Sequence, residues 1–187
     1  MQKYRYLVFY KPFGIPSTFT DEAGRKTLKD FIDVPDVYAA GRLDLASEGL
    51  LILTNDGNFI HHLTDPEHHL PKTYFVQVEG VVTGEAINQL ESGMVLDSVK
   101  TRRCKVLVIP EPDLPPREKP VTPHAPTSWL RIELKEGKKH QIRRMTAAVG
   151  LPTLRLVRIA FGPLTLENLH PGQWRDLIPD EIKRIKN

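Results

Sequence analysis

The chain has 187 residues, 40% of them hydrophobic and 26% charged, with a formal net charge of +3; this is an ordinary globular composition, long enough to bury a core in one large domain or two small lobes. Its apolar runs are far shorter than the roughly 20 residues needed to cross a bilayer, and the opening Met-Gln-Lys-Tyr-Arg-Tyr enters a strand pattern without a signal-peptide core, so the cytoplasm is the expected compartment and no membrane is involved. A single cysteine, Cys104, excludes an internal disulfide and a cysteine-based zinc site.

In chain order, residues 6–10 read as a strand, ended by Lys11-Pro12-Phe13-Gly14-Ile15-Pro16 with its two prolines and a glycine. Residues 27–32 read as a short helix with Leu28, Phe31 and Ile32 on one side. A charged, glycine-bounded loop, 41–49, then runs into residues 50–53, whose lack of polar alternation predicts a strand covered on both faces. Asn55-Asp56-Gly57 turns the chain into a short helix over 59–63 that stops at Asp65-Pro66. Residues 72–79 alternate as a strand rich in β-branched and aromatic residues. Thr83 caps a helix over 85–91 that ends at Gly93, and 105–109 is another strand.

Residues 110–126 hold seven of the sixteen prolines and show no apolar period, so they form a long excursion. No domain boundary falls there, because a strand resumes over 129–134. The segment 136–145 opens a helix with Ile142, Met145 and Val149 on its apolar face, closed by Gly150 and Pro152, and 154–166 and 174–178 supply the last strands. Without a Rossmann glycine signature, a P-loop or an internal repeat, the class is α+β: a central mixed, largely antiparallel sheet flanked by helices. The whole of 1–187 is expected to be one domain, undivided or in two lobes around a cleft.

Asp44 is the residue that needs explaining. Leu43 and Leu45 anchor its loop, and Arg42, Ser47 and Glu48 surround its carboxylate with polar groups at the mouth of the sheet. That suits a reactive acid mounted on a rigid edge, although an aspartate in a glycine-flanked turn also serves as a turn former. Basic residues are clustered rather than scattered: Arg102, Arg103 and Lys105; Lys138, Lys139, His140, Arg143 and Arg144; Arg155 and Arg158. Such clusters attract a polyanion, whereas Lys183, Arg184 and Lys186 read as a solvated tail. Lys138 and Lys139 fall in the first turn of the expected helix, where each cation costs about 0.3 to 1 kcal/mol. A docked anion is the favoured compensation, with neutralisation by Glu136 the alternative. Tyr74 is either core or, facing a cleft, a flat platform for a base. His61, His62, His68 and His69 with Asp65 raise a metal site, but adjacent histidines point to different sides and read as surface residues.

Gly41-Arg42-Leu43-Asp44 with residues 47–57, then Lys72-Thr73-Tyr74-Phe75-Val76, then Glu136-Gly137-Lys138-Lys139-His140-Gln141-Ile142-Arg143-Arg144-Met145 together resemble the three ordered motifs of the RsuA family of RNA pseudouridine synthases. The strand running into Pro12 and the segment 156–164 resemble that family too, so the likeness covers nearly the whole chain. It implies the pseudouridine synthase catalytic fold and the isomerisation of a specific uridine in large-subunit (23S) ribosomal RNA, with no metal and no cofactor. Asp44 is then the catalytic aspartate, Tyr74 the aromatic that stacks on the target uracil, and Arg143 the basic partner of the aspartate. Arg42, Lys72, Lys138, Lys139, His140 and Arg144 are expected to bind the RNA. Many family members carry an N-terminal S4 domain; here the first strand begins a few residues after Met1, so none is expected and the domain must find ribosomal RNA through its own basic surfaces, as a monomer. The competing reading is a catalytically silent RNA-binding or ribosome-assembly factor on the same fold.

Overall fold

Alternating or continuous apolar runs bounded by glycine, proline and aspartate become strands along most of this chain. The computed structural model describes residues 4–65, 67–68 and 70–186. Its first elements are β1 (Tyr6–Lys11), a 3-10 turn (Leu28–Asp30), β2 (Tyr38–Ala39), β3 (Glu48–Thr54), α1 (Gly57–Thr64), β4 (Lys72–Glu79) and α2 (Gly84–Ser92). There follow β5 (Val95–Leu96), β6 (Val99–Lys100), β7 (Lys105–Ile109), β8 (Thr127–Leu134) and α3 (Gln141–Ala148). The chain ends with β9 (Thr153–Phe161), β10 (Leu164–Thr165), β11 (Trp174–Asp176) and α4 (Pro179–Lys186). Two units result, one built from the chain up to Leu70 and again from Ala160, the other from Pro71–Ile159.

In the first unit the strand order is β11-β1-β3, with β2 also paired to β3. β1 lies antiparallel to both neighbours, so that Leu7 faces Asp176 on one side and Leu53 on the other. All seven residues of β3 are buried. This is why residues 50–53 lack polar alternation, and each such aliphatic side chain contributes roughly 1.5 to 3 kcal/mol by leaving water. α1 begins where the Asp56 carboxylate accepts the Phe59 N–H at 3.2 Å, and it turns Phe59 and Leu63 into the core. Pro66, expected to help stop this helix, lies outside the described residues. The expected helix over 27–32 is only a 3-10 turn, closed by a capping box between Thr27 and Asp30. α4 was not expected from the sequence: Ile185 is buried beneath it, and the buried Glu181 accepts two 2.8 Å bonds from Arg175 as well as the Ile178 N–H.

The second unit orders its strands β9-β4-β8-β7. β4 and β8 pair antiparallel along their full lengths, from Lys72 opposite Leu134 to Glu79 opposite Thr127. β7 pairs antiparallel with the other edge of β8. The outer edge of β7 is blunted locally: the Val106 N–H is given to the Glu91 carboxylate, the Cys104 N–H to the Glu91 carbonyl, and Pro110 follows the strand. Thr83 caps α2 and Gly93 ends it, as expected. Only glycine fits at position 93, since φ is +78° and a Cβ would meet the Thr101 carbonyl oxygen at 2.5 Å. The excursion 110–126 contains no helix or strand. It is tethered at Pro115 by the Arg155 guanidinium and at its far end by the Glu79 carboxylate, which accepts the N–H groups of His124 and Ala125.

Candidate active site

The loop that carries Asp44 leaves β2 through Gly41, whose φ of +83° only glycine adopts without strain, and re-enters the first unit at β3. Leu43 is buried and anchors the loop. Leu45 does not, contrary to expectation: its side chain is exposed, and what is held is its carbonyl, which accepts the Gly14 N–H at 2.9 Å. The Ser17 hydroxyl donates to the Leu43 carbonyl at 2.8 Å and accepts the Leu43 N–H at 3.0 Å. Behind Asp44, its own carbonyl accepts the Ser47 N–H at 2.9 Å. The backbone is thus fixed on both sides of a half-buried carboxylate. Arg42 is exposed beside it and contributes to the rim of a cavity of about 860 Å³ lined also by Ser17, Phe19, Val34 and Tyr38.

Tyr74 and Arg143 belong to the second unit. Tyr74 stands on β4 opposite Ile132, 9% exposed, and its hydroxyl has no hydrogen-bond partner among the described residues. Arg143, half-buried on α3, donates from Nη1 to the carbonyl of Thr153 at 3.2 Å. Thr153 opens β9, the neighbour of the strand that carries Tyr74, and its hydroxyl is locked to that of Thr146 at 2.7 Å. Lys72 is half-buried at the start of β4; burial, with the Arg158 guanidinium adding to it, pushes its ammonium down to about 8.

Several expectations about the basic residues are corrected. α3 begins at Gln141, beyond Lys138 and Lys139 rather than before them, because His140 takes a left-handed φ of 52° and the buried Gln141 amide reaches back to accept the Lys138 N–H. The cations in the first turn are therefore Arg143 and Arg144, while Lys138 and Lys139 lie on the approach. Lys138 is neutralised by an acid, the alternative kept open above: its ammonium is 3.0 Å from the Glu136 carboxylate and also donates to the Lys100 carbonyl. Burial alone would raise the Glu136 carboxyl, but the Arg102 N–H, Lys138 and Gln141 together hold it below its ordinary range. Arg144 is paired with Asp97. Arg155 and Arg158 are buried and form no surface patch. The contacts of Glu136, Lys138 and Arg144 nevertheless join two stretches distant in sequence, so that exposed Lys100, Arg102 and Arg103 share one face with exposed Lys139 and His140.

The histidines take structural partners. His62 Nε2 meets the Ile185 carbonyl, His68 Nδ1 the His62 carbonyl, and His61 approaches Asp65 at 3.8 Å. Among the described residues no three histidine, cysteine or acidic side chains are grouped to hold a metal; His69 lies outside them. No helix among those residues is long and apolar enough to cross a membrane.

The fold belongs to a known class of RNA-modifying isomerase. A solved structure described as a pseudouridylate synthase matches 99% of this chain and 75% of its own length with a TM-score of 0.84 at 28% identity. The chain belongs to the RNA pseudouridylate synthase family, whose sequence model matches residues 5–148, and it is an isomerase of uridine in RNA. Among its relatives, the ribosomal large subunit pseudouridine synthase E of Vibrio vulnificus is 50% identical over 91% of this chain and 74% of its own. The protein of the same description from Xanthomonas axonopodis is 52% identical over 86% of this chain and 87% of its own. Neither Ser17, bonded to Leu43, nor Asp97, paired with Arg144, was marked by the sequence; their partners appear only in the folded chain.

Proposed function

We propose that this protein converts a specific uridine of large-subunit ribosomal RNA to pseudouridine in the bacterial cytoplasm, as a monomer and without metal or cofactor. The observation that carries the reading is the likeness, at about half of all positions, to relatives described as large-subunit synthases. The chemistry asks only for rearrangement within one nucleotide: the bond from C1′ to N1 breaks, the uracil turns, C1′ joins C5, the C5 proton leaves and N1 ends protonated. Nothing is oxidised and no group is carried away.

Asp44 supplies the ionised oxygen, as nucleophile or base, and Arg143 the positive charge that favours the ionised form. Tyr74 gives the extruded uracil a face to stack on, offsetting part of an unpairing cost of a few kcal/mol. Arg42 and Lys72 contact the target nucleotide. Lys138, Lys139, His140 and Arg144 contact flanking phosphates, with Lys139 and His140 the most accessible of these.

The test is Asp44→Asn in a tritium-release assay on ribosomal RNA labelled at uridine C5. Loss of release with RNA binding retained is expected. Release at the wild-type rate would end the assignment, and an inactive wild-type protein that binds tightly would favour the silent RNA-binding factor. Pseudouridine mapping of ribosomal RNA from a strain lacking the protein then identifies the position.

A further inference from the structure

We propose that Ser17 is a positioning residue for Asp44, a role that rests on Asp44 being the reactive acid. Ser17 is 7% exposed, and its hydroxyl reads both polar groups of a single residue, giving its proton to the Leu43 carbonyl and accepting the Leu43 N–H. Both peptide planes that flank Leu43 are therefore fixed, and the second of them leads directly into Asp44. The Gly14 N–H on the Leu45 carbonyl fixes the chain on the far side of Asp44.

Ser17 is itself held from the sheet. Lys11, fully buried at the end of β1, donates from Nζ to the carbonyls of Pro12 at 2.9 Å and Ile15 at 2.6 Å, which ties residues 12–17 to the strand. Lys11 also faces Gly49 at the start of β3, the strand into which the Asp44 loop runs. The circuit closes from β1 through Lys11, Ser17 and Leu43 to Asp44 and back to β3.

Leu43 packing anchors the loop, but Ser17 and Arg42 both line the adjoining cavity, so the Ser17 hydroxyl is what fixes the peptide planes on that side. Without the hydroxyl, residues 41–44 have room to relax toward that space. A carboxylate that must meet one atom of an extruded nucleotide tolerates little of this, since a misplacement of about 1 Å can cost about 100-fold in rate.

The experiment compares Ser17→Ala and Ser17→Thr with wild type by tritium release from uridine-labelled ribosomal RNA, with circular dichroism of each protein. Ser17→Ala is expected to lower kcat about 10- to 100-fold at unchanged KM and RNA affinity. Ser17→Thr keeps the hydroxyl and should recover most of kcat. Should Ser17→Ala fail to fold, Ser17→Cys, of similar volume and a weaker donor, is read by the same criterion. Wild-type kcat in the variant, a loss that appears in KM, or a folded Ser17→Thr no faster than Ser17→Ala overturns the proposal. Asp44→Asn measured alongside separates the two readings: if it is active the role of Asp44 fails, whereas an inactive Asp44→Asn beside a fully active Ser17→Ala removes only the role of Ser17.

Discussion

Arg144 Nη2 lies 2.7 Å from Asp97 Oδ1. Asp97 sits at the tip of the β5–β6 hairpin, where it and Ser98 both take positive φ (48° and 64°) in a tight turn. The Asp97 side chain is 82% exposed, so the pair is screened and worth at most about 1 kcal/mol. It still occupies a cation that we propose for an RNA phosphate. Asp97→Asn should therefore tighten RNA binding by up to about fivefold, the equivalent of that energy. It should also steepen the dependence of log affinity on log salt by up to about 0.7 to 0.9, one extra phosphate contact. Titration of labelled RNA at several salt concentrations checks both, and an unchanged slope would place Arg144 outside the RNA interface.

Tyr74 separates stacking from proton transfer. Because its hydroxyl is bonded to no described residue, the ring is the part expected to matter. Tyr74→Leu should lose about 1 to 3 kcal/mol of base stacking, a drop of about 5- to 150-fold in kcat/KM, while Tyr74→Phe loses only a small part of that. Steady-state tritium release on both variants decides it: a Tyr74→Phe enzyme that binds RNA normally but turns over as slowly as Tyr74→Leu would give the phenol a chemical role.

How much of this was legible beforehand depended on whether the cause was local. β4 and β7 begin and end where alternation predicts, and Thr83 and Gly93 frame α2 because cap and left-handed stop are read from neighbours alone. α3 started late because His140 takes a left-handed turn and the buried Gln141 amide folds back on the Lys138 N–H, which no pattern of charges announces. α4 was not expected because Lys183, Arg184 and Lys186 read as a solvated tail, while the partner that fixes Glu181, Arg175, lies on β11. Asp44 stood out by its loop and by the motif around it; Ser17 could not, since its bonds span 26 residues. The cluster of Arg155 and Arg158 was misjudged because charge density in sequence says nothing about burial.

Lys72 gives the second unit a measurable pH dependence. Its ammonium is pushed from 10.5 down to about 8, first by burial and then by Arg158. Between these values the unfolded chain holds a proton that the folded chain has released, so stability rises with pH from about 8 toward 10.5; below about 8 both states hold the proton and this contribution is flat. Lys72→Met should flatten that segment of the profile relative to wild type in urea unfolding series from pH 7 to 10.5. A wild-type slope identical to that of the variant would show that Lys72 titrates normally.

Glu181 tests what holds the carboxyl-terminal helix to the first unit. Its carboxylate takes two bonds from Arg175 and one from the Ile178 N–H, and the Arg175 guanidinium, against the opposing effect of burial, keeps the acid below its ordinary value of 4.5. A carboxyl lowered on folding contributes stability that is complete above its unfolded pKa and is lost as pH falls through the folded one, so this contribution begins to be lost below about pH 4.5 and is gone only below the lower folded value. Glu181→Gln keeps the shape, gives up the charge, and turns one acceptor into a donor facing Arg175. The expected cost is about 1.5 to 3 kcal/mol at pH 7, the range for hydrogen bonds to charged groups, shrinking toward zero in acid. Paired urea melts at pH 7 and pH 4 measure it. A cost that is equal at both values would mean that the charge on Glu181 is not what docks α4, and that the burial of Ile185 beneath the helix carries the attachment alone.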